Sequence, residues 1–233
     1  MRLIRLYHGT TAGAADALAR EGSRPPDIDA LVAAVATRFG VPEGDLRAVA
    51  RYVTGAPRRL DFAVATHPAF ARLYAGRRGG EAAHDLVTGA TRLADPTLSA
   101  PEIERRARAE LSEQGALVTL DIPFERARAD LPTPRLRSAP WASYEEWAGH
   151  VTDGSSGRNI TLSIRIQPEW IATVDLVEPV ISEPGLGRWV PKEAWHILRS
   201  AKRPPSIGPG REGIYERSAV QEWLKEQGVS LAP

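Results

Sequence analysis

The chain has 233 residues and a formal net charge of +1, so no global field marks it for nucleic acid or an anionic membrane surface. Apolar residues make up 42% of it, enough for one sizeable core. It contains no cysteine, which removes disulfides, thiolate nucleophiles and cysteine metal sites from consideration.

At the N-terminal end, Leu3, Ile4, Leu6 and Tyr7 read as a buried strand, and Ala14, Ala15, Leu18 and Ala19 recur at helical spacing up to an Arg-Glu-Gly stop. His8, Gly9 and Thr10 occupy the junction, where a glycine lets a ligand approach the backbone closely. The opening MRLIRLYHGT carries no long apolar leader, and no apolar run is long enough to cross a bilayer. The expectation is a cytoplasmic protein with no membrane partner, a specialised secretion system being the other route.

Prolines after Gly22 stop the first helix. Two helical stripes follow: Ile28, Leu31, Val32, Val35 and Phe39, then Leu46, Val49, Ala50 and Val53. A DNA-reading helix-turn-helix has this pattern, but so does a helical hairpin, which the small net charge favours. The stretch LDFAVATHPAFARLYAGRRGGE then reads as strand, turn and helix, with Pro68 early in the helix and Gly79 and Gly80 at its exit. Phe70 and Tyr74 share a helical face.

Residues 81–115 read as an inserted helical segment, with a capping-box pattern at Ser99 and Glu102 and a stop at Gly115. Its arginines are interleaved with glutamates, as on a solvated face. ALVTLDIP is a strand ended by Pro123, and a long connection follows in which Trp141, Tyr144 and Trp147 pin the loop to the body. NITLSIRI alternates, with Ile160, Leu162, Ile164 and Ile166 on one side. Val174 to Val177 gives one more strand, and a last helix buries Val220, Trp223 and Leu224 before Gly228. Short strands with few long helices favour an α+β antiparallel architecture over a doubly wound sheet.

Phosphate-binding Gly-Lys-Ser/Thr, GxSxG and HExxH motifs are all missing, and His8, His67, His84, His150 and His196 lack metal-ligand spacing. The basic loop SAKRPPSIGPGREG, with Lys202, Arg203 and Arg211, suits either a phosphate contact or an ordinary surface linker.

LYHGTT, followed by a small helix and an REG turn, resembles the opening motif of the ADP-ribosyltransferase superfamily, in the branch of poly-ADP-ribose polymerases and diphtheria toxin with its His, Tyr, Glu triad. The segment around Tyr74 resembles that family's second motif, with Val64 standing where the triad tyrosine is expected. VISEPGLGRWVPKEAWHILRS resembles the third, with Arg188 at the place of the catalytic glutamate and Glu183 and Glu193 on either side.

The resemblance implies a single ADP-ribosyltransferase-like domain over residues 1–233, a split antiparallel β-sandwich with helical insertions at about 28–54 and 81–115. It implies NAD as substrate, held by His8, Gly9, Thr10 and Tyr74, with Glu193 or Glu183 steadying the oxocarbenium charge that develops when the nicotinamide bond breaks. The activity implied is transfer of ADP-ribose to a macromolecular acceptor, protein or nucleic acid, as in a toxin paired with a cognate antitoxin or regulator. An RNA 2'-phosphotransferase-like enzyme and a non-catalytic binding module are the alternatives within the same fold.

Overall fold

The computed structural model describes residues 2–50, 62–131, 141–152, 159–178, 180–182 and 214–229. Its centre is an antiparallel sheet of five strands, β1 (Leu3–Thr11), β2 (Phe62–Ala65), β3 (Gly115–Pro123), β4 (Asn159–Leu162) and β5 (Ile171–Val177), in the spatial order β4-β2-β1-β3-β5. A separate two-stranded ribbon pairs β6 (Val180–Ser182) with β7 (Ile214–Glu216). The molecule therefore belongs to the mixed α+β class.

β1 is the spine. It pairs with β3 over all nine of its residues, from Leu3↔Pro123 to Thr11↔Gly115. Because side chains alternate across a strand, Ile4 and Leu6 go to one face with their partners Ile122 and Leu120. That face is closed by α1 (Ala12–Glu21), α7 (Phe124–Ala127) and α8 (Tyr144–Thr152), through Ala15, Leu18, Phe124, Ala127 and Trp147. Each leucine buried there contributes about 1.5–3 kcal/mol. Trp141 and Trp147 meet edge to face at 5.8 Å inside this core, so these aromatics pin the long connection as expected.

The strand passes into α1 without a loop because Thr11 caps the helix, its side chain accepting from the N–H of Ala14. Gly22 ends α1 at φ 70°, a left-handed φ that a side chain would strain.

Four further helices form a second apolar body: α2 (Ile28–Phe39), α3 (Glu43–Val49), α5 (Gly80–Ala94) and α6 (Ala100–Glu110). The two segments read as separate insertions pack on one another through Val32, Leu46, Leu86 and Ala107. The apolar stripes of the α2–α3 hairpin are thus turned onto α5. Residues 76–78 and 111–113 join this body to the sheet: Gly76 N–H donates to Thr10 C=O and Glu113 N–H to Gly76 C=O.

Three local expectations change. Ser99 stands at the α6 N-cap but its side chain makes no capping bond, and the Glu102 side chain is drawn onto Arg105 and Arg106 one turn on. The helix after His67 is only α4 (Pro68–Arg72), and the chain then turns repeatedly towards Gly79. β4 ends at Leu162 because Asp130 takes the N–H of Ser163 and the Ser23 hydroxyl takes that of Ile166, drawing the backbone off the ladder.

Arg72 links α4 to the β6–β7 ribbon. Its guanidinium donates to the carbonyl of Glu178 at 3.0 Å and to the carboxylate of Glu216 at 3.1 Å. The carboxylate of Glu178 in turn accepts from the N–H and hydroxyl of Ser218 in the first turn of α9 (Arg217–Glu226), which buries Val220, Trp223 and Leu224.

Candidate functional site

The phase of the β1–β3 ladder fixes where the backbone of Gly9 points. Ala12 N–H donates to Gln114 C=O and Phe124 N–H to Arg2 C=O, in step with the β1–β3 register, so the even residues of β1 bond to β3. In an antiparallel ladder alternate residues turn their N–H and C=O to opposite neighbours, so Gly9 faces β2. The one registered pair between β1 and β2 is Tyr7↔Ala65. The next rung would join Gly9 to Ala63, and the ladder does not include it.

His8 lies beside the open rung. Its Nδ1 lies 2.7 Å from the carbonyl of Ala63, and its ring lies 4.3 Å from that of Phe62. A ring nitrogen facing a carbonyl must donate, so Nδ1 carries the proton and Nε2 is left as an acceptor. The residue is half-buried. The desolvation lowers its pKa below the usual 6.5, against a smaller opposing effect of the Ala63 carbonyl. His8 is therefore neutral at pH 7.

The opposite face explains the glycine. A Cβ on Gly9 would stand 1.8 Å from the carbonyl oxygen of Ala71, so α4 lies directly against this backbone. Tyr7, Ala65, Ala71 and Leu117 close up around it. The space a side chain would occupy is thus filled by the protein, and the group Gly9 can offer a ligand is its β2-facing amide edge.

The expected residues do not share one face of the sheet. By strand alternation, His8 and Thr10 share the face of Ile4 and Leu6, whereas Tyr74 follows α4 on the other face. The half-buried Tyr74 ring has the Arg77 guanidinium 6.0 Å from its centroid. Val64 is buried in the sheet core and offers no ring to this position. Glu183, Arg188 and Glu193 lie outside the described residues, as does the basic loop at 200–213.

Phe62, the Ala63 carbonyl and Ala71 are the components that sequence reading missed. Two of these act through backbone atoms, which carry no residue signature. Phe62 was legible only as part of a strand.

A second histidine offers a contrast. His84 Nε2 on α5 lies 3.1 Å from the Glu104 carboxylate on α6, which also accepts from Arg108 at 2.7 Å. Desolvation lowers the pKa of His84, opposed by the Glu104 charge. The two side chains approach one another between the two helices. Among the described residues no group of three His, Cys, Asp or Glu side chains is placed to hold a metal, and no helix is long and apolar enough to cross a membrane.

Fold and site define a mixed α+β protein with a histidine-bridged gap in its central sheet. Comparison with family models, with curated proteins and with solved structures finds no match to this chain.

Proposed function

We propose that the chain is an NAD-dependent ADP-ribosyltransferase that seats the nicotinamide of NAD at the open rung beside Gly9 and transfers ADP-ribose to a macromolecular acceptor. The observation that carries this reading is the missing Gly9–Ala63 rung, with His8 holding the Ala63 carbonyl. A strand glycine turned to such a gap offers one N–H donor and one C=O acceptor side by side, the complement of a carboxamide's C=O and NH2. The sequence motifs around His8 and Tyr74 support the same reading.

On this proposal the neutral imidazole accepts a ribose hydroxyl at Nε2, fixing the sugar while the bond between its anomeric carbon and the nicotinamide nitrogen breaks. The electron pair leaves with nicotinamide, and an acceptor nucleophile adds to the anomeric carbon and gives up its proton. Glu193 or Glu183 supplies the carboxylate that steadies the developing cation; the positive charge of Arg188 at that point would oppose it. Tyr74 covers the pyridine ring from the side of α4.

Calorimetry with NAD and with nicotinamide, followed by a nicotinamide-release assay, tests the proposal. Binding of both, with release falling at least about tenfold in His8→Ala, is expected. Binding without release would reduce the chain to a module of this fold, and release that depends on an RNA ending in a 2'-phosphate would reassign the reaction to phosphate removal. The absence of any binding would end the reading.

A further inference from the structure

Among the described residues β5 is an edge strand, and its composition is unusual. Its seven residues, IATVDLV, hold no lysine, arginine, proline or glycine, and Ala172 to Leu176 are all exposed. Leu176 is 68% exposed and Val174 36%, two of the most exposed large apolar side chains described. Edges are ordinarily blunted by charge, proline or cover, because a free row of N–H and C=O groups recruits another strand.

The ladder phase identifies the outward row. Even residues of β3 bond to β1, so its odd residues bond to β5, in the pairs Gly115↔Val177, Leu117↔Asp175 and Thr119↔Thr173. The N–H and C=O groups of Val174 and Leu176 therefore point away from the sheet. Their side chains extend the Ala116 and Val118 face, to which they are paired.

We infer that this edge pairs antiparallel with the same edge of a second copy, with Val174 facing Val174 across the two-fold axis. That register sets Leu176 opposite Ala172, apolar against apolar, and Thr173 opposite Asp175, a hydroxyl donor against a carboxylate. Within one chain Thr173 already donates to Asp175 at 2.9 Å, so the two groups are compatible. Sliding by one rung towards the C-terminus would oppose two Asp175 carboxylates; sliding the other way would set Leu176 opposite Trp170, which lies in the turn before the strand rather than in it. The irregularity opposite Thr119 and Leu120, which makes Ala172 the extra residue, bounds the ladder at its start.

The native chain has no cysteine, so single thiols report the register cleanly. A rung pair across the axis has Cα atoms about 5.5 Å apart, within disulfide range. Two Leu176 residues would be four positions apart, about 14 Å. The full chain is expected to sediment at twice 25.3 kDa in a concentration-dependent way. Val174→Cys should oxidise to a covalent dimer while Leu176→Cys does not, and Val174→Lys should sediment as a monomer with an unchanged circular dichroism spectrum. A wild-type chain that stays monomeric at every concentration, open-ended assembly, or equal cross-linking at both positions would overturn the inference.

Discussion

The sheet cluster around Leu6 and Leu120 and the helical cluster around Leu46 and Leu86 share no residue, and they are assembled over different distances in the chain. The first brings together strands spread over residues 3 to 171, the central ones giving alternate side chains to one face. The second is drawn from residues 28–50 and 80–111, with neighbours spaced at helical intervals. Each holds a half-buried histidine whose pKa is lowered by desolvation, yet the two are used differently. His84 lies against a carboxylate between helices, whereas His8 occupies a backbone carbonyl beside an open sheet rung. Interrupted backbone pairing marks the candidate site more clearly than a His–Glu contact does.

The sharpest way to break this contrast is Gly9→Ala. The added methyl collides with backbone rather than a movable side chain, so α4 must shift, and a loss above about 3 kcal/mol is expected in chemical denaturation. A variant as stable as wild type would show that α4 does not press on the strand.

Leu6→Ala and Leu46→Ala should each cost about 2–5 kcal/mol, since both side chains are essentially fully buried. They should separate on function: for a matched loss of stability, only Leu6→Ala, two residues from His8, should also weaken NAD binding by calorimetry. Equal weakening by Leu46→Ala would bring the helical body into the site.

Acid sharpens the comparison further. Both histidines have native pKa values below the ordinary 6.5, so above that pH neither state holds the proton. As pH falls below it, the unfolded chain binds protons that the native fold resists, and stability declines until the native values are reached. Thermal melts taken from about pH 7.5 down to about pH 5 should show this decline, flattened in part by His8→Gln and in part by His84→Gln. A flat profile in the wild type would contradict the desolvation assigned to both rings.

The smallest effect lies on the surface of α6. Arg105 and Arg106 hold the Glu102 carboxylate down to about 2. What the trio contributes is present above 4.5 and lost as pH falls through about 2. Exposed helical pairs of this kind are worth about 0.3–0.5 kcal/mol each, so Glu102→Gln should lower the melting temperature only slightly. A large drop would mean that α6 depends on its surface charges.

Much of the architecture was legible beforehand. Ile4 and Leu6, Val118 and Leu120, and Ile160 and Leu162 alternate because one face of the sheet is buried, and Gly22 stops the first helix by its φ preference. His8 and Gly9 were also visible as a strand-end pair. Less was readable where side-chain contacts lie outside the local pattern: Arg105 and Arg106 hold the Glu102 side chain, and Asp130 and Ser23 end β4 early.

By itself, then, the sequence determined the class of fold, the buried stripes and the strand that bears His8, because periodicity and capping act within a few residues. Only the tertiary structure decided that the β1–β2 ladder lacks its Gly9 rung, that α4 is the reason Gly9 has no side chain, and that two helical segments thirty residues apart form one body. Those outcomes turn on register and on backbone atoms meeting across the chain, and every residue carries the same N–H and C=O, whatever its letter.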